Sequence, residues 1–319
     1  MNKNNTKKHF VTIFDSNYLP IGLTLYRSLE RNLKSYHLWI LCADRLAERQ
    51  LSLIDLPNVT LIFLENIENK ELLNVKKQRN RGEYCWTLKP FAIKKVFTEN
   101  NGIDVLSYVD ADLYFYNDPD ILFKELRQSE RHVMIIEHSF APEYKNIEKR
   151  AGRFSAGFIT FRRTKEAEKV RAWWEEKCLE WCFAKHEEGK QGDQAYLNEW
   201  PKLFNEEVHI LKQVEKIPGP WNVRFFGDIK KSIIDPVFYH FHSLQIIDPN
   251  QILLYTGYNV GKYGGDLYQN YIAEMRQSLD ILKLYKFPVP YIPQKKQNME
   301  WLRGVKRKIK GNHKIVKIY

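Results

Sequence analysis

The stretch from Leu106 to Asp112 constrains the fold most, because it is a largely apolar run that ends in two carboxylates. Side chains of a strand alternate between its faces, so Asp110 and Asp112 are expected to project together. Two carboxylates this close repel each other and lose hydration. A bound cation would offset both costs. An oxygen pair suits Mg²⁺ or Mn²⁺ and leaves positions open for phosphate oxygens. The alternative is a strand end whose acids cap the turn at 117–119.

Up to this stretch, short apolar runs alternate with segments in which apolar residues recur at helical spacing. Strands are expected at 9–14, 37–42, 59–64 and 106–109, and helices at 19–33, 44–54 and 86–97. Pro90 would then lie in the first turn of its helix. The alternation predicts an α/β fold with a Rossmann-like, mostly parallel central sheet and helices on both faces. Asp15 also follows a strand, and ligands of such sheets bind beyond the carboxyl ends of the strands, so we expect Asp15 beside the aspartate pair.

Beyond Asp112 the pattern predicts further strands and helices without a clean linker before residue 287. The expected strands are 132–137, 154–161, 208–211 and 237–242, and the expected helices are 119–126, 165–185, 193–200 and 268–285. Residues 1–286 are therefore predicted to form one domain. Residues 287–293 contain three prolines and predict an extended exit from the fold.

The net charge of +11 is concentrated at the C-terminal end. Residues 295–317 hold nine lysines and arginines against one acid, Glu300. Apolar residues recur along one side of a helix at 299–309, so we predict that 287–319 is a linker followed by a basic amphipathic helical tail. Such a tail would bind an anionic membrane surface; a disordered cationic end is the alternative. Charge placed in a tail and not on a folded face argues against a nucleic-acid partner.

The same sequence predicts a cytoplasmic protein that lies peripherally on the inner face of the membrane. It has no run of 18 apolar residues, and its polar N-terminus does not read as a signal peptide. The four cysteines show no secretory disulfide framework. Cys178, Cys182 and His186 share a helix face, which makes a zinc site a competing interpretation of that segment.

Four short motifs stand in a recognisable order. They are 14–18, 108–112, 192–198, and Trp221-Asn222 followed by His240-Phe241-His242. Over residues 9–245 they resemble family 8 of the GT-A glycosyltransferases, the group that includes glycogenin and bacterial lipopolysaccharide galactosyltransferases. The resemblance implies a GT-A fold and a hexosyltransferase that uses Mn²⁺ (or Mg²⁺). It would move a sugar from a nucleotide sugar, expected to be a UDP-sugar, to a glycan or lipid-linked acceptor with retention of configuration.

The resemblance also implies a metal site. Asp110 and Asp112 would bind the cation, and Asp110 would also face the nucleotide sugar. His240 falls where the third ligand of the family lies. His242 is two residues away and is expected on the same face of the strand, so it competes with His240 for that role.

Further residues are assigned to the donor by the same resemblance. Asp15 and Tyr18 would meet the base and the ribose. Asp193 would hold hydroxyls of the donor sugar, and Gln194 would lie near its anomeric carbon. For Asp15 and Asp193 the structural alternative is helix capping, which is common for aspartate at these positions.

The sequence departs from the family after His242. The family continues into a glycine and a lysine that meets the diphosphate, whereas residues 243–247 contain neither. Lys89 is a candidate for the missing cation, and a solvated charge on a helix face is its alternative. Trp221 and Asn222 belong to the predicted donor site, where Trp221 is either a sugar-stacking platform or a core residue.

Three other functions stay open. A haloacid-dehalogenase-like phosphatase also uses two aspartates two residues apart, but with Thr or Val where this chain has Tyr114. A nucleotidyltransferase needs a glycine-rich, arginine-containing loop after the first strand, and residues 15–18 offer none. A non-enzymatic protein that binds sugars or a membrane surface is the third.

Overall fold

The computed structural model describes residues 7–187, 189–233, 235–293 and 312–319. Its strands are β1 (Lys8–Phe14), β2 (Tyr36–Cys42), β3 (Val59–Phe63), β4 (Val105–Val109), β5 (Leu113–Phe115), β6 (Val133–Glu137), β7 (Phe154–Arg162), β8 (Val208–Ile210), β9 (Phe238–His240), β10 (Gln245–Asp248), β11 (Gln251–Thr256) and β12 (His313–Lys317). Its α-helices are α1 (Leu19–Asn32), α2 (Arg45–Leu53), α3 (Lys70–Lys76), α4 (Arg81–Glu99), α5 (Asp120–Ser129), α6 (Glu148–Ala151), α7 (Lys165–Glu180), α8 (Trp200–Leu203) and α9 (Gly261–Leu284).

The chain forms two compact units, and each unit is built from several separate segments of the sequence. The first unit contains the chain up to Asp15 together with Leu33–Asp110 and Pro119–Val214. The second contains Ser16–Asn32, Ala111–Asp118 and the chain from Glu215 onward. The single domain expected over residues 1–286 stays a prediction.

The first unit is built on a seven-stranded sheet with the order β3-β2-β1-β4-β7-β6-β8. Neighbouring strands are parallel except at β7, which is antiparallel to both β4 and β6. The register pairs Val11 of β1 with Tyr108 of β4. Asp15 and Asp110 therefore both follow the carboxyl ends of adjacent parallel strands, as the sequence predicted.

Helices cover both faces of this sheet. On one face, apolar side chains of β1 and β4 join those of α4 and α7 in one buried cluster that includes Val11, Leu88 and Trp174. On the other face, Phe10 contacts Phe123 of α5, with ring centroids 6.3 Å apart. Burial of side chains of this size contributes about 1.5–3 kcal/mol each, which holds the helices on the sheet. The predicted α/β architecture is confirmed.

Helix α4 begins earlier than the sequence analysis expected. Asn80 caps it by accepting from the Glu83 N–H at 3.0 Å, and the Glu83 side chain accepts from the Asn80 N–H at 2.8 Å. This capping box fixes the start at Arg81. Pro90 consequently lies inside the helix and not in its first turn, and the carbonyl of Trp86 lacks its usual helical donor.

In the second unit, α1 packs against α9 through buried polar contacts. The Thr24 and Ser278 hydroxyl oxygens lie 2.9 Å apart, and Arg27 Nε lies 2.6 Å from Glu274 Oε1. β5 pairs with β9, and β10, β11 and β12 form a separate antiparallel sheet. None of the described helices is long and apolar enough to cross a membrane.

Two predicted segments differ from the structure. The helix expected at 193–200 is a short 3₁₀ helix (Ala195–Asn198) followed by α8, which has Pro201 near its start. The tail expected at 287–319 ends in β12, where Val316 pairs with Ile252 of β11 and Ile318 is buried. The tail was predicted from its charge alone. In the structure, its last residues form a strand because they pair with β11. The predicted amphipathic helix at 299–309 lies outside the described residues.

Candidate functional site

Asp110 emerges at the end of β4 with its backbone held by the next strand. Its N–H donates to the Gly157 carbonyl of β7 at 2.8 Å. Tyr108, two residues earlier and on the same face, donates its hydroxyl proton to Asp110 Oδ1 at 2.8 Å. The carboxylate is therefore fixed by its own strand and is left partly exposed.

Lys89 lies inside α4 and reaches this carboxylate from the buried side. Its Nζ lies 3.0 Å from Asp110 Oδ1 and 3.1 Å from Asp193 Oδ2, and it donates to the Ala156 carbonyl at 3.2 Å. Lys89 therefore forms ion pairs with two carboxylates and a hydrogen bond with one carbonyl. Lys89 is only 4% exposed, which excludes a solvated charge on a helix face.

The charges in this cluster shift one another's pKa. Burial lowers the pKa of Lys89, but the carboxylates of Asp110 and Asp193 outweigh burial and raise the pKa above its ordinary value. Burial raises the pKa of Asp193, and the neighbouring Lys89 opposes that rise only in part. Lys89 therefore stays protonated, while Asp193 is harder to ionise than an ordinary aspartate.

Asp193 and Gln194 are held by backbone contacts. The indole N–H of the buried Trp174 donates to the Asp193 carbonyl at 3.0 Å. Gln194 Oε1 accepts from the Ala156 N–H at 3.2 Å, and its Nε2 donates to the Ala151 carbonyl at 2.8 Å. The Gln194 amide therefore bridges the start of β7 and the end of α6 beside the Lys89 cluster.

Asp15 lies beyond β1 and is buried. Arg81, the first residue of α4, places its Nη1 3.2 Å from Asp15 Oδ2 and 3.5 Å from Asp44 Oδ2. The Arg81 side chain is 65% exposed, so these ion pairs contribute little to stability and leave the guanidinium open to solvent. Tyr18, in the second unit, is 38% exposed in a short 3₁₀ helix.

In the second unit, Asp112 and His240 face each other across a strand pair. Leu113 of β5 pairs with His240 of β9, and the Phe241 N–H donates to the Asp112 carbonyl at 2.9 Å. This register places His240 Nε2 3.1 Å from Asp112 Oδ1. Burial would raise the pKa of Asp112, but His240 and then His242 hold it below its usual value.

The two histidines differ in position. His240 is buried in β9, whereas His242 lies past the strand end and is exposed. Trp221 is buried and its ring packs edge-on against both, at 5.4 Å from His240 and 5.9 Å from His242. The Asn222 side chain accepts from the Gly219 N–H at 3.0 Å, which closes the turn that carries Trp221.

One atom from each of Asp110, Asp112 and His240 lies within 4.8 Å of the others. Two carboxylate oxygens and one imidazole nitrogen form a ligand set that suits Mn²⁺ or Mg²⁺, and the nitrogen favours Mn²⁺ of the two. The lowered pKa of Asp112 keeps this carboxylate ionised, as a ligand must be. Three of the four predicted metal residues are thus brought together, and the fourth, His242, has its ring 5.9 Å from that of His240.

The sequence analysis missed two residues that contact this region. Tyr108 shares a strand face with Asp110, so its hydrogen bond could have been predicted from strand alternation. Arg81 follows Asn80 in a capping box, a motif that marks the true start of α4. The zinc interpretation gains no support in the described part of the chain, because Cys178 and Cys182 are buried while His186 lies exposed.

Sequence comparison connects the chain to two proteins of Bacillus subtilis (strain 168). YfnF is 31% identical over 256 residues, which cover 76% of this chain and 84% of YfnF. YfnD is 28% identical over 282 residues, which cover 85% of this chain and 90% of YfnD. The chain belongs to the same family as YfnF. Both relatives are named as uncharacterized proteins, and no protein-family model matches this chain.

Structure comparison identifies the fold as GT-A. The galactosyltransferase LgtC, solved with donor and acceptor sugar analogs, matches with a TM-score of 0.55 at 13% identity over 84% of this chain and 95% of LgtC. The glycosyltransferase GlyE of Streptococcus pneumoniae TIGR4 matches with a TM-score of 0.50 at 18% identity over 92% of this chain. The match spans 66% of the GlyE chain. The GT-A fold predicted from the motif order is therefore confirmed.

Proposed function

We propose that this protein is a metal-dependent glycosyltransferase that moves a sugar from a nucleotide sugar to a glycan or lipid-linked acceptor. The observation that carries the proposal is the cluster of Asp110, Asp112 and His240 at the end of β4. It lies in a chain whose fold matches enzymes named as glycosyltransferases. The order of the four sequence motifs extends the proposal to a UDP-sugar donor, hexosyl transfer and retention of configuration, as in family 8.

Asp110, Asp112 and His240 would hold Mn²⁺ or Mg²⁺, with His242 as the nearby alternative to His240. A cation bound there would offset the negative charge of a departing diphosphate, which is the leaving group of nucleotide-sugar transfer. The fit rests on the ligand types and on the lowered pKa of Asp112.

Lys89 has a positioning role in this proposal. Its ammonium is buried between the carboxylates of Asp110 and Asp193 and also donates to the Ala156 carbonyl. We propose that Lys89 fixes the carboxylate of Asp193, which then accepts hydrogen bonds from donor-sugar hydroxyls. The predicted contact of Lys89 with the diphosphate stays a prediction.

Gln194 would lie near the anomeric carbon in this proposal. Its amide is oriented by the Ala156 N–H and the Ala151 carbonyl, so its position is set before any substrate binds. An oxocarbenium-like transition state gains from a fixed carbonyl dipole at this point. Asp15 and Tyr18 would meet the base and ribose, and Trp221 and Asn222 would complete the donor side.

A donor screen by thermal shift tests the proposal directly. Nucleotide sugars are added one at a time with Mn²⁺, with Mn²⁺ plus EDTA, and without metal. We expect one UDP-sugar to raise the melting temperature only when Mn²⁺ is free, because binding to the native state adds stability by mass action. The proposal fails if no nucleotide sugar stabilises the protein, or if EDTA leaves the stabilisation intact. Phosphatase activity on phosphomonoesters without a nucleotide sugar would favour the dehalogenase-like alternative instead.

Membrane association through residues 295–317 is a separate part of the proposal. Most of that segment lies outside the described residues, so the argument is the charge of the sequence. Sedimentation with vesicles that contain anionic lipid, compared with neutral vesicles, tests it. Equal binding to both kinds of vesicle would contradict it.

A further inference from the structure

A cavity of about 540 Å³ opens in the first unit next to Gln194. Its volume is in the range of pockets that hold small ligands. Its walls come from α6, the start of β7 and the segment 195–202. We call it the α6 groove, and the lining residues that matter for its chemistry are Glu148, Lys149, Arg150, Gly152, Arg153 and Lys202.

The α6 groove is strongly cationic. Lys149, Arg150 and Lys202 are exposed, and no ion pair with another described residue engages them. The single acid of the lining, Glu148, is already paired with Lys145. Arg153 is paired with Glu137, so it adds little net charge. Three cations therefore face solvent in this groove without a compensating acid.

The groove is continuous with the candidate donor residues. Ala195, which lines it, follows Asp193 and Gln194 directly in the chain. The Gln194 amide is bonded to the carbonyl of Ala151, the last residue of α6. Gly152 has a φ of +87°, and a Cβ there would lie 2.9 Å from the Asn198 amide. The end of α6 is therefore packed closely against the segment 195–202. A ligand in the groove would consequently lie beside the residues proposed to hold the donor sugar.

We infer that the α6 groove binds the acceptor and that the acceptor is an acidic glycan, bearing carboxylate or phosphate groups. That the ligand is an acceptor rests on the proposed function. That the ligand is acidic rests on the three unpaired cations. A neutral saccharide would gain only ordinary hydrogen bonds from Lys149, Arg150 and Lys202, whereas each anionic sugar unit gains a stronger, charge-assisted contact. The proximity to Gln194 favours a saccharide over a lipid headgroup or a peptide.

The test measures binding of two saccharides of equal length to the full chain, without donor or metal. Hexagalacturonate is the acidic probe and maltohexaose is the neutral one. The variant Lys149→Gln/Arg150→Gln/Lys202→Gln removes the three cations. The matched control, Arg49→Gln/Lys70→Gln/Lys124→Gln, removes three exposed cations of the same unit that lie away from the groove. Melting temperatures of both variants report whether they are folded.

We expect hexagalacturonate to bind the native protein about tenfold or more tightly than maltohexaose, with affinity that falls as salt is raised. The groove variant should lose this preference, and the control variant should keep it. Equal affinity for the two saccharides, or an equal loss in both variants, would overturn the inference. The thermal shift with nucleotide sugars and Mn²⁺ is measured separately. If no nucleotide sugar stabilises the protein while the acidic preference holds, the proposed function fails and the anionic saccharide site stands.

Discussion

Asp110 and Asp112 are separated by one residue, yet their negative charges are compensated in different ways. In the first unit, Asp110 meets the ammonium of Lys89, which is buried and keeps its proton because its pKa is raised. In the second unit, Asp112 meets the imidazole of His240, a side chain that can also bind a metal ion. One carboxylate therefore has a permanent partner, and the other has a partner that is itself a candidate metal ligand.

This difference indicates a division of labour. A buried lysine paired with two carboxylates is a fixed part of the structure, and its removal leaves charges without compensation. A histidine beside a partly exposed carboxylate is a ligand set that a divalent cation can complete. The comparison predicts that the Lys89 cluster matters most for stability and the His240 pair most for metal binding.

The largest effect is expected at Lys89. Lys89→Met should lower the free energy of unfolding by about 3–5 kcal/mol, because it leaves Asp110 and Asp193 without their buried counter-charge. Urea denaturation monitored by circular dichroism measures the loss, with the exposed Lys124→Met as the control. Adding Asp193→Asn to Lys89→Met should restore part of the stability, since it removes one uncompensated charge. A double variant no more stable than the single one would contradict the ion-pair account.

The next effect concerns the carboxylate of the second unit. Asp112→Asn should reduce sugar transfer at least about 100-fold, equivalent to roughly 2.7 kcal/mol, while costing far less stability than Lys89→Met. Transfer is followed by release of the nucleotide at saturating Mn²⁺. Asp104→Asn, an exposed aspartate one residue before β4, is the matched control. Unchanged transfer in Asp112→Asn would remove this carboxylate from the site.

A smaller effect separates the two histidines. His240→Gln should weaken Mn²⁺ binding about tenfold or more, because His240 Nε2 lies beside Asp112 Oδ1. His242→Gln should change it by less than about threefold, since this residue is exposed and lies beyond the strand. Calorimetric titration with Mn²⁺ gives both affinities. A larger loss in His242→Gln than in His240→Gln would reverse the assignment.

The smallest effect is a pH dependence of opposite sign at the two sites. The folded-state pKa of Asp112 is lowered, so its contribution to stability is present above the unfolded value of about 4 and is lost as pH falls below it. The folded-state pKa of Asp193 is raised, so its contribution is greatest in acid and is lost as pH rises from about 4 through that pKa. In EDTA, Asp112→Asn should therefore reduce the loss of stability on acidification, and Asp193→Asn should increase it. Urea denaturation between about pH 2 and pH 7 measures both slopes, and equal signs would contradict the comparison.

Much of the first unit could be predicted from local patterns. The strands of 9–14, 37–42 and 59–64 match β1, β2 and β3 closely, because their apolar runs are short and bounded by turn residues. The helix predicted at 86–97 contains Lys89, but α4 begins five residues earlier because the capping box at Asn80 sets its start. The burial of Lys89 had a signal as well: apolar residues flank it at 88 and 90–93.

The second unit was predicted less completely. β10 and β11 are short and were missed; they pair with each other, and β11 pairs in addition with β12, which is distant in the chain. β12 was read as a charged tail, since a strand at a sheet edge carries lysines on its exposed side. The alternating division into two units is invisible to a search for linkers, because the chain crosses from one to the other within 110–112 and again at 118–119.

The sequence by itself determined the α/β architecture and the two aspartates at the end of β4. It also determined the candidate histidines, because strand periodicity and turn chemistry are local properties. Only the tertiary structure decided which group compensates each carboxylate. Lys89 reaches Asp110 and Asp193, and His240 reaches Asp112, across 21 to 128 positions of chain. Such pairings follow from the packing of α4 on the sheet and from the register of β5 with β9, which no local pattern records.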